Sequence, residues 1–141
     1  MYDVTVFQSG VIPFYSDCGV INYVLIRSNQ TGTFIFPKGM IELDMTPQQS
    51  AAQEALEEAG LEGKVFQNAA GTYEYQKFGL DFSVDLYPFA VEHILEDWDE
   101  PWRDRQFVPY SSALKSIDDR LKEILREFHS QAQRYIDSQK R

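Results

Sequence analysis

Three glutamates at helical spacing are the residues of this sequence best suited to chemistry. Glu54, Glu57 and Glu58 stand at i, i+3 and i+4 within the run from Pro47 to Ala59, so on a helix all three project from one side. Like charges at this spacing repel by roughly a few tenths of a kcal/mol per pair. They also fall in the last turns of the run, where the helix dipole favours cations, and no Lys or Arg lies between Gly39 and Gly63. Two readings follow. Either the acids form a solvated surface face, or they gather a divalent cation such as Mg²⁺ or Mn²⁺, a hard ion that takes clustered carboxylate oxygens together with phosphate oxygens of a substrate.

The helix that must hold them is well signalled. Thr46 is a natural N-cap, Pro47 suits the first helical position, Gln49 completes a capping box, and Gly60 stands where a left-handed C-terminal cap belongs. Ala51, Ala52, Ala55 and Leu56 give a face of mostly small apolar residues that can lie close against a sheet. Before it, β-branched and aromatic runs predict strands from Asp3 to Phe14 (bent at Gly10 and Pro13), Val20 to Arg27 and Thr33 to Phe36. After it, strands are expected from Lys64 to Ala70, Thr72 to Gln76 and Leu80 to Val91, with Lys77 to Gly79 joining the last two as a hairpin. The acidic run Glu96 to Glu100 reads as a loop and Gln106 to Pro109 as a short extended piece. Ser116 to about Asp137 reads as one long closing helix with apolar residues at helical spacing. Strands, helix, strands, helix in 141 residues indicate a single domain of the α+β class.

Composition removes several function classes. Thirteen basic against 22 acidic residues give a net charge of −9, which argues against nucleic acid or an anionic membrane as partner. It does not exclude a phosphate substrate, because a bound divalent metal inverts the local sign. Cys18 is the one cysteine, so neither an internal disulfide nor a cysteine-based zinc site is available. The first residues lack the basic start and apolar run of a signal peptide, and no window reaches the apolar length of a membrane span, so a cytoplasmic location is expected.

The stretch from Gly39 to Leu61 resembles the Nudix box. In the family a glycine is followed by five residues, a glutamate, seven residues, then Arg-Glu-apolar-any-Glu-Glu-any-Gly-apolar. Here Gly39 and the whole tail Glu54, Ala55, Leu56, Glu57, Glu58, Ala59, Gly60, Leu61 match, and Phe36-Pro37-Lys38-Gly39 resembles the Pro-Lys-Gly entry of many members. Two positions depart: the first glutamate is Met45 and the arginine is Gln53. In the family these two commonly form an ion pair. Losing one partner would leave an uncompensated charge, whereas losing both is nearly neutral, so a coordinated replacement of the brace is expected, with the three carboxylates retained. A weaker resemblance runs from His93 through Glu96, Asp97 and Trp98 to Arg103, Arg105, Phe107 and Val108. It is similar to the dinucleoside polyphosphate and diphosphoinositol polyphosphate hydrolase branch.

The resemblance implies a Nudix-like α/β/α sandwich, with a mixed curved sheet between the motif helix and a C-terminal helix. It implies a metal-dependent hydrolase that cleaves a phosphoanhydride in a nucleoside diphosphate-linked or polyphosphorylated metabolite. Glu54 and Glu58 would be the main ligands of Mg²⁺ or Mn²⁺, Glu57 would serve a second metal or its water, and Lys38 would lend its backbone carbonyl beside Gly39. Glu54 is the first choice of general base.

Further residues carry two readings each. Glu96 or a neighbouring acid of that loop is an extra metal ligand or the base, or else a solvated acid. Arg103 and Arg105 clamp substrate phosphates or neutralise the acidic run before them, and Lys77 is a phosphate contact or a solubilising charge. Tyr73 and Tyr75 share one strand face, for core packing or for stacking on a base. Lys38, Lys64, Lys77, Arg103 and Arg105 are the only cations of the central region, few for a densely charged inositol polyphosphate, which favours dinucleoside polyphosphates as substrates. The alternative to an enzyme is a domain weakened at Met45 and Gln53 that binds a nucleotide or phosphorylated ligand as a sensor or regulator. The expected partner is a small phosphorylated metabolite, with a homodimer left open.

Overall fold

In the computed structural model, which describes residues 4–140, the chain runs through β1 (Thr5–Asp17), β2 (Val20–Arg27), β3 (Phe34–Ile35), β4 (Lys38–Met40), α1 (Pro47–Ala59), β5 (Leu61–Val65), β6 (Gly71–Lys77), β7 (Leu80–Ile94), β8 (Gln106–Pro109), α2 (Tyr110–Ser116) and α3 (Lys122–Gln139). The long strands β1 and β7 are parallel, in register from Thr5 opposite Asp81 to Phe14 opposite Ala90. Each divides its outer edge between two antiparallel partners. β1 pairs with β4 over residues 8–10 and with β2 over 14–17, while β7 pairs with β6 over 80–86 and with β5 over 89–94. Pro13 and Pro88 sit at these two changes of partner, where a strand can lack a ladder N–H. Two tight hairpins follow from local chemistry: Cys18 and Gly19 have φ of 50° and 79°, and Phe78 and Gly79 have 53° and 73°. Such consecutive positive values suit the right-handed twist of the flanking strands.

α1 buries Ala51, Ala55 and Ala59 completely against one side of the sheet. On the other side α3 buries Leu125, Phe128 and Ala132, with the Phe128 ring 5.1 Å from that of Phe14 and 6.1 Å from that of Tyr23. The result is the expected α+β sandwich around a mixed, open sheet. Among the described residues no helix is long and apolar enough to cross a membrane.

The structure corrects several boundaries. β5 starts at Leu61, directly after the helix cap, and ends at Val65 instead of running from Lys64 to Ala70, because the chain must then cross to β6 where β7 changes partner. β1 continues to Asp17, and Asp3, the expected start, lies outside the described residues. The strand expected from Thr33 to Phe36 is confined to Phe34–Ile35, and β4 is an addition. The closing helix starts at Lys122 instead of Ser116 and ends at Gln139, and α2 before it is an addition. Ile117 is extended and bridges to Phe34, the Asp118 N–H donates to the Phe34 carbonyl at 2.8 Å, and the Asp118 carboxylate accepts the Arg120 N–H at 3.0 Å. That local side-chain bond competes with the helical ladder and separates α2 from α3.

Candidate active site

The site is built on the last turns of α1. The capping box forms as expected: Gln49 N–H donates to Thr46 Oγ1 at 3.1 Å, and Thr46 N–H to Gln49 Oε1 at 2.9 Å. Gly60, at φ 64°, closes the other end. There the structure supplies the missing cation from a distant segment. Arg105 donates to the Ala59 carbonyl at 2.9 Å and lies 3.7 Å over the Trp98 ring, and Trp98 Nε1 donates to the Glu58 carbonyl at 3.1 Å. Positive charge at a helix C-terminus offsets the dipole, which makes an acidic last turn tolerable.

The three carboxylates differ in their partners. Glu58 is buried; its Oε1 accepts the Lys38 backbone N–H at 2.9 Å and its Oε2 pairs with Arg103 at 3.2 Å. Arg103 also holds Glu100 at 2.8 Å. Glu57 Oε1 accepts from the Gln53 amide at 2.8 Å, so Gln53 keeps a donor on this helix face. Glu54 accepts no hydrogen bond among the described residues, and its carboxylate lies against Gly39 so closely that a Cβ there would overlap it. Burial first, then the charges of Glu58, Glu57, Glu100 and Glu42, push the Glu54 carboxyl up to about 8. Burial also lifts Glu58 to about 7, against the pull of Arg103 and the Lys38 N–H.

Two residues here, Glu42 and Ser9, escaped the sequence reading, and in the acidic loop the structure selects a neighbour of Glu96. Glu100, rather than Glu96, faces the carboxylates; Glu96 is exposed and makes no hydrogen bond or ion pair among the described residues. Glu42 adds its field from the loop before α1, a loop fastened where Glu42 N–H donates to the buried Ser50 hydroxyl at 3.0 Å. Ser9 is fully buried with no partner for its hydroxyl among the described residues. It stands directly opposite Gly39 in the β1–β4 pairing, and opposed residues share a sheet face, so Ser9 faces the Glu54 side. Acidic loops invite the first acid to be chosen, and a serine inside a strand carries no signal at all.

The donor set fits a hard divalent cation. Carboxylate oxygens that repel one another, a glycine cradle and an orphaned hydroxyl are what such an ion would satisfy. No three Asp, Glu, His or Cys side chains among the described residues already form a cage; Arg103 takes up part of that charge instead.

Beside Glu58 opens a cavity of about 290 Å³, lined among others by Lys38, Lys77, Tyr73, Tyr75, Arg103 and Arg120. Lys38 Nζ donates to the Tyr75 hydroxyl at 3.1 Å, which donates to Gln8 at 2.6 Å. Lys64 sits over Phe66 and Arg105 at the helix end, both outside this lining. A second, more open cavity of about 550 Å³ holds Met45 and Gln53 together with Ala52, Leu56 and Phe89, so the two departures from the motif share one location.

Comparison with known proteins gives the family and the fold. The NUDIX domain family model matches residues 10–128. Nudix hydrolase 16, mitochondrial, of Arabidopsis thaliana is 32% identical over 127 residues, covering 77% of this chain and 70% of that protein. Nudix hydrolase 18, mitochondrial, of the same plant is 36% identical over 80 residues, covering 55% of this chain but only 45% of its own. Among solved structures, an Ap4A hydrolase of C. elegans in a binary complex superposes with a TM-score of 0.77 at 19% identity, covering 89% of this chain and 96% of that one. The NUDIX domain of Shewanella oneidensis NrtR complexed with ADP ribose gives 0.74 at 11% identity, with 93% and 90% covered. At such identities the structures show a common fold. With the family model spanning most of the sandwich, its motif helix included, the chain belongs to the Nudix family of hydrolases.

Proposed function

We propose that the chain hydrolyses a phosphoanhydride bond in a nucleoside diphosphate-linked or polyphosphorylated metabolite, with Mg²⁺ or Mn²⁺ held by Glu54 and Glu58. The supporting observation is the pair formed by buried Glu58 and half-buried Glu54, whose charges repel, beside a cavity lined by cations. The metal, when bound, neutralises phosphate oxygens and acidifies water. Glu58 is oriented by the Lys38 N–H, and Glu57 and the Lys38 carbonyl complete the ligand set. Glu54 is the carboxylate left free of hydrogen bonds, so it is the one able to take a proton from attacking water. Dinucleoside polyphosphates head the substrate list, since the Ap4A hydrolase and the ADP ribose complex share this fold.

The test is product release from dinucleoside polyphosphates, nucleoside triphosphates, ADP-ribose, nucleotide sugars and diphosphoinositol compounds, each with Mg²⁺, with Mn²⁺ and with chelator. Chelator-sensitive turnover that falls about a hundredfold or more in Glu54→Gln is expected. Folded protein that binds these ligands and cleaves none supports the sensor reading, for which Met45 and Gln53 speak. A cytoplasmic location stays a proposal beside the mitochondrial names of the two plant relatives; imaging a tagged chain in its own cell decides it.

A further inference from the structure

We propose that Arg120 is a specificity-determining anchor that binds one of a run of phosphoryl groups in the cavity beside Glu58, so that this pocket selects its substrate by phosphates and not by a nucleobase. The inference rests on the hydrolase reading above and narrows it.

Charge is the first observation. In a chain of net charge −9, the lining of this 290 Å³ cavity gathers Lys38, Lys77, Arg103 and Arg120 against the single acid Glu58. Arg103 is engaged at all three nitrogens, by Glu58, Glu100 and the Arg27 carbonyl, whereas Arg120 is paired with Asp118 along one edge only.

Arg120 is also held ready. It stands in the break between α2 and α3. Asp118 fixes one edge of its guanidinium, accepting from Nε at 2.9 Å and from Nη2 at 3.0 Å. Asp118 is itself tied to the sheet edge, where its carboxylate accepts from Thr33 Oγ1 at 3.2 Å and its N–H donates to the Phe34 carbonyl at 2.8 Å. Nη1 has no partner among the described residues. A planar fork anchored along one edge and open at the other is suited to phosphate oxygens, at little further cost in side-chain order.

The aromatic rings do not offer a base a free face. Tyr75 is stacked on Phe82 at 4.8 Å between centroids and 9° between planes. Lys38 and Arg120 lie 4.8 and 5.7 Å from the centroid of the same ring, and its hydroxyl is bound by both Lys38 and Gln8. Tyr73 is only 8% exposed. The volume stands at the low end of small-molecule pockets, enough for a short phosphate run.

The test is calorimetric titration of inorganic tripolyphosphate into the full chain, in chelator. Wild-type protein is expected to bind, and Arg120→Gln to bind about tenfold or more weakly, the loss of one charge-assisted contact. Arg120→Lys should recover part of the affinity, since it keeps the charge without the fork. Arg126→Gln, with the same change of charge on the exposed side of α3, should bind like wild type; Arg126 pairs with Glu123 and is absent from the cavity lining. Thermal unfolding checks that each variant is folded. Should Arg120→Gln fail to fold, Lys77→Gln takes its place, with about threefold weaker binding expected. No binding by the wild type, equal binding by Arg120→Gln, or an equal loss in Arg126→Gln overturns the proposal. The probe needs neither metal nor cleavage. Binding that depends on Arg120 without turnover on any substrate therefore supports the anchor and removes the hydrolase reading, and turnover beside binding indifferent to Arg120 does the reverse.

Discussion

Glu54 and Glu58 are easier to protonate in the folded chain than in the unfolded one, since burial lifts them from 4.5 to about 8 and about 7. The sign of the linkage follows. Their contribution to stability is complete below the unfolded value and is lost as pH rises through the folded values. In chelator, the melting temperature is expected to fall between about pH 5 and pH 9, and the fall to be shallower in Glu54→Gln, where one of the two groups no longer titrates. Thermal scans across that range check it; identical slopes for the two proteins would show that the repulsion is relieved by water. Gly39→Ala tests the same pair by shape. The added methyl meets the far end of a flexible carboxylate instead of backbone, so Glu54 can swing away and the fold survives. Stability should change by about 1 kcal/mol or less, while turnover falls about tenfold or more as the ligand leaves its position. Unfolding and rate measurements on the one variant separate the two effects.

At the scale of elements, the C-terminus of α1 depends on a residue that the sequence places far from it. Arg105→Gln removes the cation over Trp98, worth about 0.5–1 kcal/mol, and the positive charge at the helix end, about 0.3–1 kcal/mol. A loss of about 1–2 kcal/mol by urea unfolding is expected; a smaller one would mean that Gly60 and Trp98 suffice as a cap. How much was legible follows the same division between local and distant causes. The helix with its capping box, the hairpin turn at Phe78–Gly79 and the face shared by the three glutamates are set by neighbours in sequence, and each could be read. The break after α2 could not, because Ile117, Leu121, Leu125 and Phe128 keep helical spacing and are all buried, so the apolar period runs on through an interruption that the Phe34 carbonyl and the Asp118 carboxylate impose. Arg120 stands within that interruption, and nothing in its sequence neighbourhood singles it out. Lys64 and Arg105, counted among the central cations, turned out to lie on Phe66 and at the end of α1.

For the molecule as a whole, the site joins two segments that only the sheet brings together. Gly39 and Lys38 belong to β4, which hangs on β1, and α1 packs against β1 and the strand β5 that follows it. A cation held between Glu54, Glu58 and the Lys38 loop would therefore bind the folded chain and have no site in the unfolded one. Such a ligand stabilises by about 2.7 kcal/mol at a hundred times its dissociation constant, which in a domain of this size raises the melting temperature by about 5–10 °C. The rise should be larger near pH 8 than near pH 6, because at the lower pH the ion must displace protons from the same carboxylates. Chelator should reverse it. The control is Glu54→Gln combined with Glu58→Gln, which leaves a strongly acidic surface in place. If the double variant gains as much from Mg²⁺ as the wild type does, the ion is screening the overall negative charge and the carboxylates of α1 hold no metal. If the gain vanishes, the metal is bound where the helix, the glycine loop and the buried Ser9 meet.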